Sequence, residues 1–273
     1  MTLLEMNSMT HTADHVTRPH RLDRTVVIAA EPATVFRFFT DSARWARWWG
    51  AGSTIDPHPG GRVYIRYPDG TEVTGEVLEI AAPRQIAFTY GFQSGNPIPP
   101  GASRVTIRLE PAGSKTRLHL AHEFSETTVR DEHVQGWRYQ LSLFANIVAD
   151  EVFAGAGEAV DAWFAAWSDA DAAKQAAALE RIASPDVRFR DRFSLIDGLP
   201  DLLAQLAAYQ RFMPGLRIVR DGDIRHCQGT VLADWVVRGA DDAARGRGTN
   251  VFVLDATGQI ESVTGFWGAL PGR

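Results

Sequence analysis

The sequence predicts an α+β protein made of two unlike halves, and three observations carry that reading. The chain has 273 residues, a length that suits two domains of ordinary size. The first half alternates apolar and polar residues with period two, then changes to a period near that of a helix. The second half runs in the opposite order, helices first and strands after. Opposite order marks different folds rather than a duplication, and no internal repeat at fixed period appears. The expected organisation is a disordered tail over 1–21, a first domain over 22–152, a linker over 153–157 and a second domain over 158–270.

Elements of the first half follow from local chemistry. Arg24–Ala30 alternates as a strand. Glu31-Pro32 opens a helix, because proline at a first-turn position lacks only an N–H that would be unpaired anyway. Val35, Phe36, Phe38 and Phe39 supply its apolar face. Asp41 or Ser42 can cap a second short helix that carries Trp45, Trp48 and Trp49. Pro57, Pro59, Gly60 and Gly61 break the chain. Arg62–Tyr67 and Thr71–Ile80 form a hairpin around Asp69-Gly70. Ile86, Phe88, Tyr90 and Phe92 alternate in the next strand, and Ser94–Gly101 is a loop. Val105, Ile107 and Leu109 alternate, as do Leu118, Leu120, His122 and Phe124, with a turn at Ala112-Gly113. Val134, Trp137, Leu141, Phe144 and Val148 then recur every three or four residues and define one long helix over 129–152.

Gly155 and Gly157 mark the junction. Beyond it, Val160, Trp163, Phe164 and Trp167 form a helical stripe, and Ala172–Ala183 is an alanine-rich helix ended by Ser184-Pro185. Asp186–Asp191 is a strand. Gly198–Phe212 is a helix closed by Pro214-Gly215. Four strands follow, at Leu216–Asp221 with a possible extension to His226, Thr230–Arg238, Gly248–Asp255 and Gln259–Phe266.

Composition removes several function classes. Hydrophobic residues make up 45% and charged residues 22%, enough for each half to bury a core. A net charge of -5, a pI near 5.9 and no basic stripe argue against nucleic acid, whose phosphates need clustered Lys and Arg. Cys227 is the one cysteine, which excludes an intrachain disulfide and a cysteine-built metal site. Residues 1–20 include Glu5 and Asp14 and lack the basic start and apolar stretch of a signal peptide. Met6 and Met9 leave the start codon open. No apolar run approaches the roughly 18 residues of a membrane helix. A cytoplasmic protein without membrane insertion is expected. No His-x-x-x-His helix, phosphate-cradling loop, Gly-x-Ser-x-Gly elbow or dinucleotide fingerprint occurs, so neither a metal nor a cofactor is expected.

Several motifs of the first half occur together: Pro32-x-x-Val35-Phe36, Phe39-Thr40-Asp41, Trp45-x-x-Trp48-Trp49-Gly50, Pro59-Gly60-Gly61, Gly75-Glu76-Val77-Leu78-Glu79-Ile80, Pro83-Arg84 and His133-x-x-Gly136-Trp137. In that order they resemble the SRPBCC, or START-like, superfamily, and within it the branch of activators of the heat-shock chaperone ATPase. The resemblance implies a helix-grip fold, a curved antiparallel sheet around a long C-terminal helix with a ligand cavity between them. In the second half, Asp186-Val-Arg-Phe-Arg-Asp191, Pro214-Gly215-Leu216, His226, Asp234-Trp235, Gly248-x-Asn250-Val-Phe252, Asp255-x-x-Gly258-x-Ile260 and Val263-x-Gly265-Phe266 resemble SnoaL-like members of the nuclear transport factor two-like superfamily. That resemblance implies a cone-shaped α+β barrel with a pocket at its open end, and admits a homodimer through the open sheet.

The candidate site residues follow from parity within these two frames. Trp45, Trp48 and Trp49 lie within five residues, and at least one is expected to face a cavity, a partner or water. His122 shares the inward face of Leu118, Leu120 and Phe124, either as a ligand contact or as a histidine satisfied by the sheet. Ligand contacts are expected at Trp48, Trp49, Tyr67, Phe88, Tyr90, His122 and Trp137 in the first half, and at Trp163, Trp235 and Asn250 in the second. Asp191 and His226 are the candidate catalytic pair, since a carboxylate and an imidazole in an apolar cone suit proton transfer beside a carbonyl. Three functions compete, in this order: a binder of a small hydrophobic molecule with a pocket in each half, an enzyme of the cyclase, isomerase or dehydratase type acting through the C-terminal pocket, and a chaperone-associated protein. The third ranks last because the eukaryotic activator uses a separate N-terminal chaperone-binding domain, and residues 1–20 are too few to form one.

Overall fold

The computed structural model describes residues 17–268. Of the expected tail, residues 1–16 lie outside the described residues, while His20 and Arg21 already belong to the first strand, β1 (His20–Ile28). Two helices follow. α1 is Pro32–Arg37, with its proline in the first turn. α2 is Ser42–Trp49, capped by Asp41, whose carboxylate accepts the Arg44 N–H at 3.0 Å. Then come β2 (Thr54–Ile55), β3 (Arg62–Arg66), β4 (Glu72–Ala81), β5 (Gln85–Phe92), β6 (Ser103–Ala112) and β7 (Lys115–Phe124), and the long helix α3 (Thr127–Val152). All pairings in this sheet are antiparallel, in the order β1-β7-β6-β5-β4-β3-β2.

The register of β6 on β7 sets Val105, Ile107 and Leu109 opposite His122, Leu120 and Leu118. Those inward residues are buried against Trp137, Leu141, Phe144 and Val148 of α3, the helix-grip arrangement. α2 is tied to α3 by Arg44 and Arg47, which contact the two oxygens of Glu151 at 2.9 and 2.8 Å. Half-exposed pairs of this kind add little free energy, but they fix where α2 sits. The tryptophan expectation is corrected here. Trp45, Trp48 and Trp49 are all buried, because positions i, i+3 and i+4 share one helix face and that face is closed by the sheet on one side and α3 on the other.

The second half contains α4 (Ala156–Ser168), α5 (Ala172–Ile182), β8 (Ala183–Arg190), β9 (Leu195–Asp197), α6 (Leu199–Phe212), β10 (Arg217–Arg220), β11 (Arg225–Cys227), β12 (Thr230–Arg238), β13 (Ala244–Leu254) and β14 (Ile260–Gly268). Its sheet runs β10-β12-β13-β14-β8-β9, with β11 also on β12 and β14 parallel to β8. The three helices cover one face and bury a second core, which includes Trp163, Leu179, Leu202, Leu206, Val231, Phe252 and Val263. Ser184-Pro185 does not separate helix from strand. β8 starts directly after α5, and the proline is its third residue, inside the irregular stretch between the Ala183 and Arg188 pairings with β14, where a missing donor is tolerated. β13 begins four residues before the expected Gly248 and carries a bulge at Arg245, opposite Val237 and Arg238.

The end of α3 touches the second sheet. Phe153 packs 5.4 Å from the ring of His226, and Gln228 Nε2 donates to Asn146 Oδ1 at 2.9 Å. No described helix is long and apolar enough to cross a membrane.

Candidate functional site

The second half encloses a cavity of about 350 Å³. The helical stripe of α4 supplies Trp163, Phe164 and Trp167, and α6 supplies Gln205, Ala208, Tyr209 and Phe212. The sheet contributes Phe189 of β8, Ile218 of β10, Trp235 of β12, Asn250 of β13 and Trp267 of β14, and the turn after β8 contributes Asp191, Phe193 and Ser194. The aromatic rings hold one another edge to face. Trp167 lies 5.4 Å from Phe189 and 5.6 Å from Tyr209, and Trp235 lies 4.9 Å from Trp267. Such contacts stiffen a wall that is otherwise only hydrophobic.

Polar groups in this wall are few and placed. The Trp235 indole N–H donates to Asn250 Oδ1 at 2.8 Å. An indole can only donate, so the Asn250 oxygen is fixed as the acceptor, and its Nδ2 donors are left without a protein partner among the described residues. Asp191 accepts the Phe193 N–H at 2.8 Å and the Trp267 indole N–H at 3.0 Å. Both side chains converge on Gly265, where an added Cβ would stand 3.1 Å from each. Trp167 Nε1 and Tyr209 Oη are buried without a hydrogen-bond partner, and burial raises the pKa of Tyr209. The chamber therefore offers aromatic walls, one carboxylate acceptor and one amide donor, an arrangement able to orient a small apolar molecule by one or two of its polar atoms.

Trp235 reaches this position because of a glycine. A Cβ on Gly248 would fall on the Phe266 carbonyl and within 2.5 Å of the Trp235 ring. With hydrogen there instead, the indole lies across β13 and meets Asn250.

The structure places the expected residues unequally. Trp163, Trp235, Asn250 and Asp191 line the cavity. His226 does not, and the expected Asp191–His226 pair is not brought together. Its Nε2 accepts the Gly229 N–H at 3.0 Å and its ring packs on Phe153 at the junction between the two cores. Parity explains the miss. His226 pairs with the inward Val231, so the face is inward, but Val231 stands four residues from Trp235 along β12, about 13 Å at the usual rise. It occupies the far end of the cone from the cavity.

In the first half, Trp48, Trp49, Tyr67, Phe88, Tyr90, His122 and Trp137 pack on one another as core rather than lining an open cavity. Trp49 lies 4.2 Å from Trp48, 5.7 Å from Trp137 and 5.7 Å from Tyr67, and Phe88 lies 5.8 Å from Trp45. His122 is fully buried and satisfied at both nitrogens. Ser103 Oγ donates its one proton to the Tyr90 carbonyl at 2.8 Å, so it must accept from His122 Nε2–H, also at 2.8 Å. The Trp137 indole then donates to Nδ1 at 2.9 Å. This network defines a neutral imidazole, and burial followed by neighbouring His133 holds its pKa well below the usual 6.5. The Tyr67 and Tyr90 hydroxyls meet at 3.1 Å, and burial pushes Tyr67 up to about 12 and Tyr90 well above its ordinary value.

Sequence reasoning did not select Trp167, Phe193, Tyr209, Phe212, Met213 or Trp267 as site residues. Trp167 was on the recognised stripe of α4. Phe193 sits in a turn and Met213 just beyond α6, where no periodicity assigns a direction.

Comparison with known proteins follows the division into halves. Residues 29–149 match the family described as Activator of Hsp90 ATPase homolog 1-like protein. No curated protein matches the chain. Among solved structures, a SnoaL-like family protein from Agrobacterium tumefaciens aligns with 41% of this chain and 96% of its own, at 22% identity and a TM-score of 0.40. CalU16 from Micromonospora echinospora aligns with 48% of this chain and 77% of its own, at 24% identity and a TM-score of 0.40. The Aha1 dimer from Colwellia psychrerythraea aligns with 45% of this chain and 90% of its own, at 17% identity and a TM-score of 0.39.

Proposed function

We propose that this chain, which carries an AHSA1-like domain over residues 29–149, binds a small hydrophobic molecule through the cone of its second half. The observation that supports the reading is the cavity of about 350 Å³ walled by tryptophan, phenylalanine and tyrosine, with Asp191 and Asn250 as its placed polar groups. The volume falls in the ordinary range for small-molecule sites. Of the expected pair of pockets the reading rests on this one, because the first-half candidates pack on one another as core. The matched family's description concerns a chaperone ATPase activator, and the cavity lies wholly outside the residues that match it.

Four tryptophans line the cavity, so its occupancy is readable by fluorescence. Titration with 2-naphthol, a flat apolar probe with one hydroxyl, is expected to quench tryptophan emission to saturation. Asn250→Ala removes the fixed amide and frees Trp235, and should weaken binding about ten-fold, the fold-change of one hydrogen bond in a dry site. Absence of saturable quenching by naphthol, and of any co-purifying small molecule in native mass spectrometry, would sink the reading.

One observation favours an enzyme as a second reading. Asp191 is a carboxylate on the wall of an apolar chamber, within reach of whatever Asn250 orients, which is the geometry of a general base. Were a converted substrate found, Asp191→Asn should lower turnover roughly 10²–10⁴-fold with little change in affinity. Equal loss of binding and turnover would count against a role in proton transfer.

A further inference from the structure

The mouth of the cavity is framed by side chains that a surface in water normally covers. Phe193 is 69% exposed, Phe212 75%, Met213 49% and Trp267 38%, and each also lines the cavity. These residues come from the turn after β8, the end of α6 and the end of β14, so they surround one opening. Single exposed apolar residues need no explanation, but a ring of them around an apolar hole does.

The same ring carries positive charge. The Arg192 guanidinium lies 5.0 Å from the Phe193 ring and that of Arg211 5.6 Å from the Phe212 ring. Neighbouring Arg190 is paired with Asp197 at 2.8 Å, but Arg192 and Arg211 form no ion pair among the described residues. The chain as a whole is acidic, at -5, and the Asp191 carboxylate sits inside the mouth, so Arg192 and Arg211 are the cations beside its exposed rings.

We propose that the cavity mouth docks on an anionic lipid bilayer, with Phe193, Phe212 and Met213 entering the interface and Arg192 and Arg211 meeting lipid headgroups. Exposed aromatic residues flanked by arginine suit the boundary between headgroup and acyl chain. The attachment is peripheral. A second copy of this chain fits poorly, because a two-fold contact sets a patch against itself and would bring unpaired arginines together. An acidic protein segment would ask for a continuous groove, and the ring encloses a hole. The docking stands apart from the ligand reading, and uses it only for the consequence that an apolar molecule could pass between bilayer and cavity without crossing water.

The test is flotation of the full chain with vesicles of phosphatidylcholine alone, and of phosphatidylcholine with about one-third phosphatidylserine. Binding is expected on the anionic vesicles, weakened by salt. Arg192→Gln and Arg211→Gln should each lower it about five-fold, the equivalent of one arginine's attraction to an anionic leaflet. In both variants thermal unfolding and naphthol titration in the absence of lipid should stay as in the parent. Equal flotation on both vesicle types, no flotation, or arginine variants that float like the parent would overturn the proposal. So would tighter binding of an acidic amphipathic peptide than of the anionic vesicles, or self-association by sedimentation velocity that Arg192→Gln and Arg211→Gln strengthen. Naphthol binding without flotation would reject docking alone.

Discussion

His122 shows how a residue can look functional by position and prove structural by its bonds. Ser103 and Trp137 use both of its nitrogens, so it has no free atom to offer a ligand. Its neutral state has a measurable consequence. Its folded pKa lies well below 6.5, the value expected in the unfolded chain, and His133 is lowered as well, by burial first. His133 donates from Nδ1 to the Val129 carbonyl at 2.7 Å, and its buried Nε2 has no acceptor for a second proton. Below about pH 6.5 the unfolded state takes up protons that the folded state refuses, so stability is full above that pH and falls as pH drops. His58 acts in the opposite sense, its pKa raised by the Pro59 carbonyl and then by Asp56, but it is exposed and its effect is small. Urea denaturation between about pH 5 and 8 should show the acid decline, and His122→Gln should flatten it. An unchanged slope in that variant would mean the network does not hold the imidazole neutral.

At the scale of elements, strand parity located most inward residues correctly. Asn250, Phe252 and Leu254 alternate toward the second core, as do Val105, Ile107 and Leu109 in the first. Parity assigns a face and says nothing about distance along the strand, which is why Asp191 and Asn250 met at the cavity while His226 lay at the other end of the cone. β2 and β9, of two and three residues, are too short for any period to show. Ring contacts such as Trp48 on Phe144 depend on how α2 and α3 are pressed together, and neither helix carries that information alone. Gly248 was legible as a motif residue, but its role required seeing the Trp235 ring laid across it. Gly248→Ala should destabilise the second half by about 1–3 kcal/mol, the usual cost of overpacking, and should also weaken naphthol binding by displacing Trp235. Urea denaturation with the parent's stability would show that the strand yields without strain.

Over the whole molecule, two cores are joined by a narrow seam of Phe153, His226, Gln228 and Asn146. We expect residues 17–155 and 156–268 to unfold as separate cooperative units when expressed apart. Calorimetry of the fragments tests this. A second fragment without a transition would mean that Phe153, which packs with the second core, is required to close it. The order of strands in that second sheet has a further consequence, for a chain still being synthesised. β14 is placed between β13 and β8, yet it follows both in the chain. A nascent polypeptide that has emerged as far as residue 254 therefore presents β13 with an open edge, and β8 with β9 as a detached pair, two surfaces ready to join with neighbouring chains. The first sheet has all its strands by residue 124 and meets no such interval, so aggregation during translation should begin in the second half, and a chaperone that shields strand edges should act there.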